Sequence, residues 1–157
     1  MQTPESSCSR ILTFRPPRIA MSLLILAAFA ELVAPTSWGE LPSFPATAAG
    51  IGLAGLGLVI RAWWLFKMQS TAICPTAETT VLITNDVYRL TRNPMYLGIV
   101  MMLLGVGLYA ANISYFIAAG AFFSIINHAF CPFEEAKLRS VFANEYAAYM
   151  KEVRRWL

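Results

Sequence analysis

Two short stretches of this sequence hold the side chains best suited to chemistry. One is Tyr88-Arg89-Leu90-Thr91-Arg92-Asn93-Pro94-Met95-Tyr96-Leu97-Gly98. Pro94 suits the first turn of a helix, where its missing N–H costs nothing. The residues just before it then leave free backbone donors near a helix N-terminus, a favourable place for anionic groups. The same stretch also reads as a basic, aromatic cap at a membrane interface. The other stretch is Glu134-Glu135. Acids favour the start of a helix, which accounts for the pair without any ligand. Two carboxylates at a membrane boundary also suit a cation, such as the ammonium group of a ligand. Three further ionisable residues, Glu31, Arg61 and His128, lie within apolar runs. Snorkelling explains Arg61, and a substrate-holding role is the alternative. Helix packing or snorkelling explains Glu31, and a helix-end position explains His128. Cys8, Cys74 and Cys131 are odd in number and show no CxxC spacing, which argues against a disulfide framework or a structural metal site.

These residues need elements to position them, and the composition says what kind. The chain has 157 residues, 57% of them hydrophobic and 13% charged. A soluble domain carries about 25% charged residues. The length suits a single domain, 1–157. The apolar residues form long runs at 19–38, 46–68, 95–111 and 113–133. Each is long enough to cross roughly 30 Å of hydrocarbon as a helix. Bare backbone polar groups are not tolerated in lipid, so helix is the expected state. The fold expected is therefore all-α: an integral membrane bundle of four transmembrane helices. Asn112 alone separates the last two runs, which predicts a tight hairpin, with one long kinked segment as the alternative. Gly105-Val106-Gly107 reads as a close helix contact.

Charge sets the expected orientation. Arg10, Arg15 and Arg18 precede the first run; Lys67, Arg89 and Arg92 flank the 69–94 loop; and Lys137, Arg139, Lys151, Arg154 and Arg155 follow the fourth run. The other two connections carry no Lys or Arg. The positive-inside rule then places both termini and the long loop in the cytosol. A bacterial inner membrane is the expected location. Residues 1–38 have a basic start and an apolar core, but no small-x-small cleavage site follows cleanly, so a span is preferred to a signal peptide. In residues 134–155, Leu138, Val141, Phe142, Tyr146, Tyr149, Met150 and Val153 recur at helical spacing. That predicts an amphipathic helix, lying at the cytosolic interface or folded back under the bundle. A formal charge of +3 is too small to argue for nucleic acid.

Taken in order, Val81 to Arg89, then Arg92-Asn93-Pro94-Met95-Tyr96-Leu97-Gly98, Asn112, Glu134-Glu135, and Phe142 to Tyr146 and Tyr149 resemble the isoprenylcysteine carboxyl methyltransferase family. That family belongs with the membrane phospholipid methyltransferases. Its pattern reads roughly Leu-Val-x-x-Gly-x-Tyr, Arg-His-Pro-x-Tyr-x-Gly, then Glu-Glu before a Phe-Gly-x-x-Tyr-x-x-Tyr helix. The resemblance covers about residues 71–156.

The resemblance implies an S-adenosylmethionine-dependent methyltransferase that needs no metal and acts on a lipophilic or lipid-anchored substrate within the bilayer. Thr80, Val81, Leu82 and Ile83 fall where the family's loop contacts the cofactor, as do Tyr88 and the Asn93-Pro94-Met95-Tyr96 turn. Glu134, with Glu135 beside it, falls where a family carboxylate holds the cofactor's methionine end. Arg92 and Tyr96 are positioning candidates. Arg61, His128 and Phe130 are the substrate-side candidates. Phe130 stands where the eukaryotic enzymes have an arginine, Asn93 where the motif has His, and Asp86 where it has Gly. Carboxyl O-methylation of a prenylcysteine-like group ranks first among reactions, and N-methylation of a phospholipid amine second. A non-enzymatic membrane bundle is the alternative class.

Overall fold

A computed structural model describes residues 16–33, 43–68 and 81–157 of the chain. Among them every regular element is helical. The helices are α1 (Pro16–Val33), α2 (Pro45–Met68), α3 (Pro94–Ala110), α4 (Ile113–Ile125) and α5 (Cys131–Glu152). A short 3-10 turn, Asp86–Arg89, precedes α3, and a π-turn, Ile126–Phe130, joins α4 to α5.

Local chemistry sets several of these boundaries. Pro94 occupies the first turn of α3, as its missing N–H allows. At the hairpin, Ala111 takes the left-handed conformation (φ 53°) and Asn112 caps α4 by accepting from the Ser114 N–H at 2.9 Å. The four expected runs are thus four helical stretches. The first begins three residues earlier than composition suggested, and residues 34–38 lie outside the described residues. Three helices are long and apolar enough to cross a membrane, and α3, with 17 residues, is a shorter apolar helix. At 1.5 Å per residue it spans about 25 Å, close to the hydrocarbon thickness.

α2 and α3 form the tightest pair, running antiparallel. A side chain added at Gly55 would stand 2.5 Å from the Gly98 carbonyl oxygen, and one at Gly98 would meet the Gly55 oxygen at the same distance. Gly105 faces the Ala48 carbonyl and Gly52 in the same way. Small residues let the two backbones touch, so packing and dispersion hold them where lipid offers no hydrophobic drive. α3 also packs on α4, and α4 on α1. One core cluster of buried residues, Ala20, Leu103, Ala119, Phe122, Ile126, Phe130 and Cys131, ties these three helices to the start of α5.

The C-terminal segment is helical, and of the two expected placements it takes the folded-back one. The helical path is continuous from α4 through the π-turn into α5, so no break separates the fourth span from the C-terminal helix. It bends instead at Ala143 (φ 38°, ψ −109°), and the rest folds back, with Arg155 returning to Glu135 and Asn127. The apolar stripe therefore closes on itself. Tyr146, Tyr149 and Val153 are buried against Leu82, Leu138, Phe142 and Met150, whereas Val141 stays exposed.

Candidate functional site

The loop before α3, the π-turn and the folded-back C-terminal segment meet at one end of the bundle. Tyr88 is the hinge of the loop. Its ring meets Phe66 edge-on at 5.9 Å, and it packs with Ile83, Ala62, Leu65 and Met95. Its backbone carbonyl accepts from the Tyr149 hydroxyl at 2.6 Å, which fastens the loop to α5. Burial, then the nearby Tyr149 and Glu134, push the Tyr88 hydroxyl above the usual phenol range. It therefore stays protonated and keeps a hydrogen-bond donor.

Glu134 and Glu135 are neighbours with opposite surroundings. The Tyr96 hydroxyl donates to Glu134 Oε1 at 2.5 Å. Burial raises the Glu134 carboxyl to about 7, against the Tyr96 hydrogen bond and Lys137, which favour ionisation; Glu135 adds to the rise. Glu135, 7% exposed, faces cations directly. Arg155 donates to both its oxygens at 2.8 Å, and Arg92 lies 3.3 Å from one of them. Burial alone would raise Glu135, but Arg155 above all, with Arg92 and Arg139, holds it below the usual carboxylate range.

Arg92 is the most constrained cation here. Its Nη1 also reaches the Tyr146 hydroxyl at 3.4 Å, and its backbone N–H donates to the Arg154 carbonyl at 3.0 Å. Its Nε is buried and has no acceptor among the described residues. A buried donor without a partner is costly, so it marks a place where an acceptor belongs.

The π-turn helps assemble this end. Its wider register sends the Cys131 N–H to the Ile126 carbonyl. Pro132, next in line, has no N–H to offer. The Asn127 carbonyl is thus left to outside donors, and Arg155 Nη1 approaches it at 3.4 Å. Asn127 Oδ1 accepts from Arg155 at 3.2 Å and from the Trp156 indole at 2.9 Å. Such π-turns occur often at functional sites.

The residues singled out from the sequence divide into groups. Tyr88, Tyr96 and Glu134 come together, with Met95 and Ile83 behind them and Pro94 buried. Leu82 packs on Tyr146 and Tyr149, and Val81 is exposed. Thr80 lies outside the described residues. Asn93 turns to the tail, donating from Nδ2 to the Arg155 carbonyl at 3.0 Å. The substrate-side candidates do not converge. Phe130 is buried in the core between the helices, and exposed His128 directs Nδ1 to the Ser124 carbonyl at 2.8 Å. Arg61, its side chain 50% exposed, pairs with Asp86.

Arg155, Asn127 and Thr91 were missed. Thr91 donates from Oγ1 to the Arg155 carbonyl at 2.8 Å. The sequence signal was slight: Arg154-Arg155-Trp156 reads equally well as topogenic charge plus an interface aromatic.

Fold and site together define a multi-pass helical membrane protein with a polar, charge-rich end. A family model for phospholipid methyltransferases matches residues 45–145. The chain belongs to that family and is a membrane methyltransferase. No curated protein and no solved structure gave a match. The matched span runs from α2 to just past the Ala143 bend and leaves out α1, Tyr146, Tyr149 and the tail.

Proposed function

We propose that the chain transfers a methyl group from S-adenosylmethionine to a lipid-borne acceptor, with the site at the cytosolic end of the bundle. The orientation rests on the basic residues flanking that end. The observation that carries the cofactor reading is the buried Nε of Arg92, a donor without an acceptor among the described residues, at the same end as Glu134. The residues present suit the methionine part of the cofactor. A carboxylate suits the donors of Arg92, and an α-ammonium suits the carboxylate of Glu134. Tyr88 and Tyr96 offer aromatic surface to an adenine.

When bound, the cofactor supplies a sulfonium methyl group for in-line displacement. The chain's contribution is alignment and exclusion of water. An amine acceptor must first give up its ammonium proton to water or a nearby base before its nitrogen lone pair can attack the methyl group. Tyr96 orients Glu134 through its hydroxyl, and the buried Ile83 and Tyr88 of the loop wall one side.

For the acceptor we favour a phospholipid amine. The family match points there, and no arginine stands at Phe130. Arg61 and Arg155 are each already paired with a carboxylate, and Arg92 is assigned to the cofactor, so none is set aside for a substrate carboxylate. A prenylcysteine carboxylate is the second reading, carried by the motif resemblance of residues 81–98 and 134–149.

Two measurements test this. Purified protein in detergent binds S-adenosylmethionine in calorimetry; no heat from micromolar to millimolar ligand refutes the cofactor reading. Methyl transfer is then assayed to phosphatidylethanolamine and a farnesylcysteine analogue in parallel. Transfer to the thioether carboxylate alone overturns the amine assignment.

A further inference from the structure

We propose that Arg155 is a positioning residue: by taking Glu135 for itself, it keeps Arg92 available to the carboxylate of the cofactor. The inference rests on the cofactor reading above and assigns it a second layer.

Glu135 is contested by two guanidinium groups. Arg155 holds it with Nε on Oε1 and Nη2 on Oε2, both at 2.8 Å. This is the fork-to-fork geometry that makes arginine–carboxylate pairs strong. Arg92 has only the weaker approach, Nη1 at 3.3 Å to an oxygen already taken, and its Nε has no acceptor among the described residues. A guanidinium is a rigid fan of donors. Were Arg92 to take the two-pronged grip on Glu135, its donors would be spent on the protein.

Arg155 is itself held in place from two sides. Its carbonyl accepts from Thr91 and Asn93, at the turn that carries Arg92. Its guanidinium meets Asn127 in the π-turn. Trp156, stacked near Phe123 at 4.7 Å, pins the next residue. The tail thus places one cation on Glu135 and braces the turn bearing the other. Without Arg155, Glu135 is a buried carboxylate whose nearest cation is Arg92, because Arg139 stands at 4.0 Å. Arg92 then turns onto Glu135.

The test compares binding of S-adenosylmethionine and its decarboxylated analogue, which keeps the sulfonium, ammonium and adenosine. A contact from Arg92 to the carboxylate makes the wild type prefer the intact cofactor by roughly thirtyfold, the worth of one charged hydrogen bond. Arg155→Met removes most of that preference, with little change in affinity for the analogue. Adding Glu135→Gln removes the competing anion, and the double variant regains the preference. An Arg155→Met protein that keeps the wild-type preference overturns the proposal. So does equal weakening toward both ligands, or a double variant that fails to regain the preference. If Arg155→Met does not fold, as judged by thermal unfolding in detergent, Arg155→Lys is measured instead. Its single point charge is expected to lower the preference about threefold, and an unchanged preference overturns the proposal. A wild type that binds neither ligand refutes the cofactor reading itself. A wild type that binds both equally refutes the Arg92 contact, and the proposal with it.

Discussion

At the loop end of the bundle, Tyr96 donates to Glu134 at 2.5 Å; at the opposite end, Tyr115 donates to Glu31 at 2.8 Å. The two pairs share their chemistry and differ in company. Around Glu134 stand Tyr88, Cys131, Glu135 and Lys137, and Glu135 in turn faces Arg155 and Arg92, whose buried Nε has no acceptor among the described residues. Near Glu31 the polar contacts are those of a helical hairpin: the Asn112 cap, and Ser43 donating to the Tyr109 carbonyl at 3.2 Å. A tyrosine–glutamate bond therefore does not define a site. One end concentrates opposed charges that burial has made expensive, whereas the other joins α1 to α4.

The sharpest way to break that contrast is at Glu135. Glu135→Leu leaves Arg92 and Arg155 without their buried anion and is expected to cost about 3–5 kcal/mol. Thermal unfolding in detergent measures it, and a loss below about 1 kcal/mol would mean the network carries little of the fold. Next comes Glu134→Gln, which should weaken S-adenosylmethionine binding roughly thirtyfold, the loss of a charged hydrogen bond. Glu31→Gln should leave binding unchanged. Equal effects from the two variants would erase the distinction between the ends.

The third test is pH. With its carboxyl raised to about 7, Glu134 is largely protonated below that value and ionised above it. Binding of an ammonium group should strengthen from pH 6 through about 7 as Glu134 ionises, and weaken again at higher pH once the ammonium itself loses its proton. The groups facing this carboxyl are Tyr96, Tyr88, Cys131, Glu135 and Lys137, and the paired Glu135 is already ionised across the range. Stability runs the opposite way: a raised carboxyl favours the folded state while protonated, so stability falls as pH climbs toward about 7. Both slopes below about 7 should vanish in Glu134→Gln; a slope that persists there assigns the titration elsewhere. The smallest effect belongs to Tyr115→Phe, about 0.6 kcal/mol of stability with no change in binding.

Two departures from the family pattern acquire a physical meaning in the structure. Asp86 and Ala143 stand where that pattern reads glycine, and both have positive φ, 58° and 38°. Asp86 offsets the strain locally, accepting from the Val87 N–H at 2.8 Å and pairing with Arg61. Ala143 has no such polar group. Ala143→Gly should therefore raise stability by about 1 kcal/mol, read as a higher midpoint of thermal unfolding. A lower midpoint would show that the bend is held by packing that glycine loosens.

Much of the fold was legible because lipid imposes a simple rule. A run of apolar residues long enough to span hydrocarbon has to be helical, and proline and asparagine mark its ends. Pro94 and Asn112 did so within a residue. The site was legible only in part. Tyr88, Tyr96 and Glu134 stood out as candidates because their spacing along the chain carries a motif. Arg155 did not, because its partner lies twenty residues back and its own position says only that it is basic.

By itself, then, the sequence determined the solvent, the helices and the two patches where chemistry is affordable, since hydropathy and charge are local properties. Only the tertiary structure decided what each charge does. It turned Arg61 onto Asp86, buried Phe130 in the core, faced His128 outward, and bent α5 at Ala143 so that Arg155 met Glu135 rather than solvent. The reason is distance: a carboxylate's role depends on which cation comes within about 4 Å of it, and chain order does not contain that.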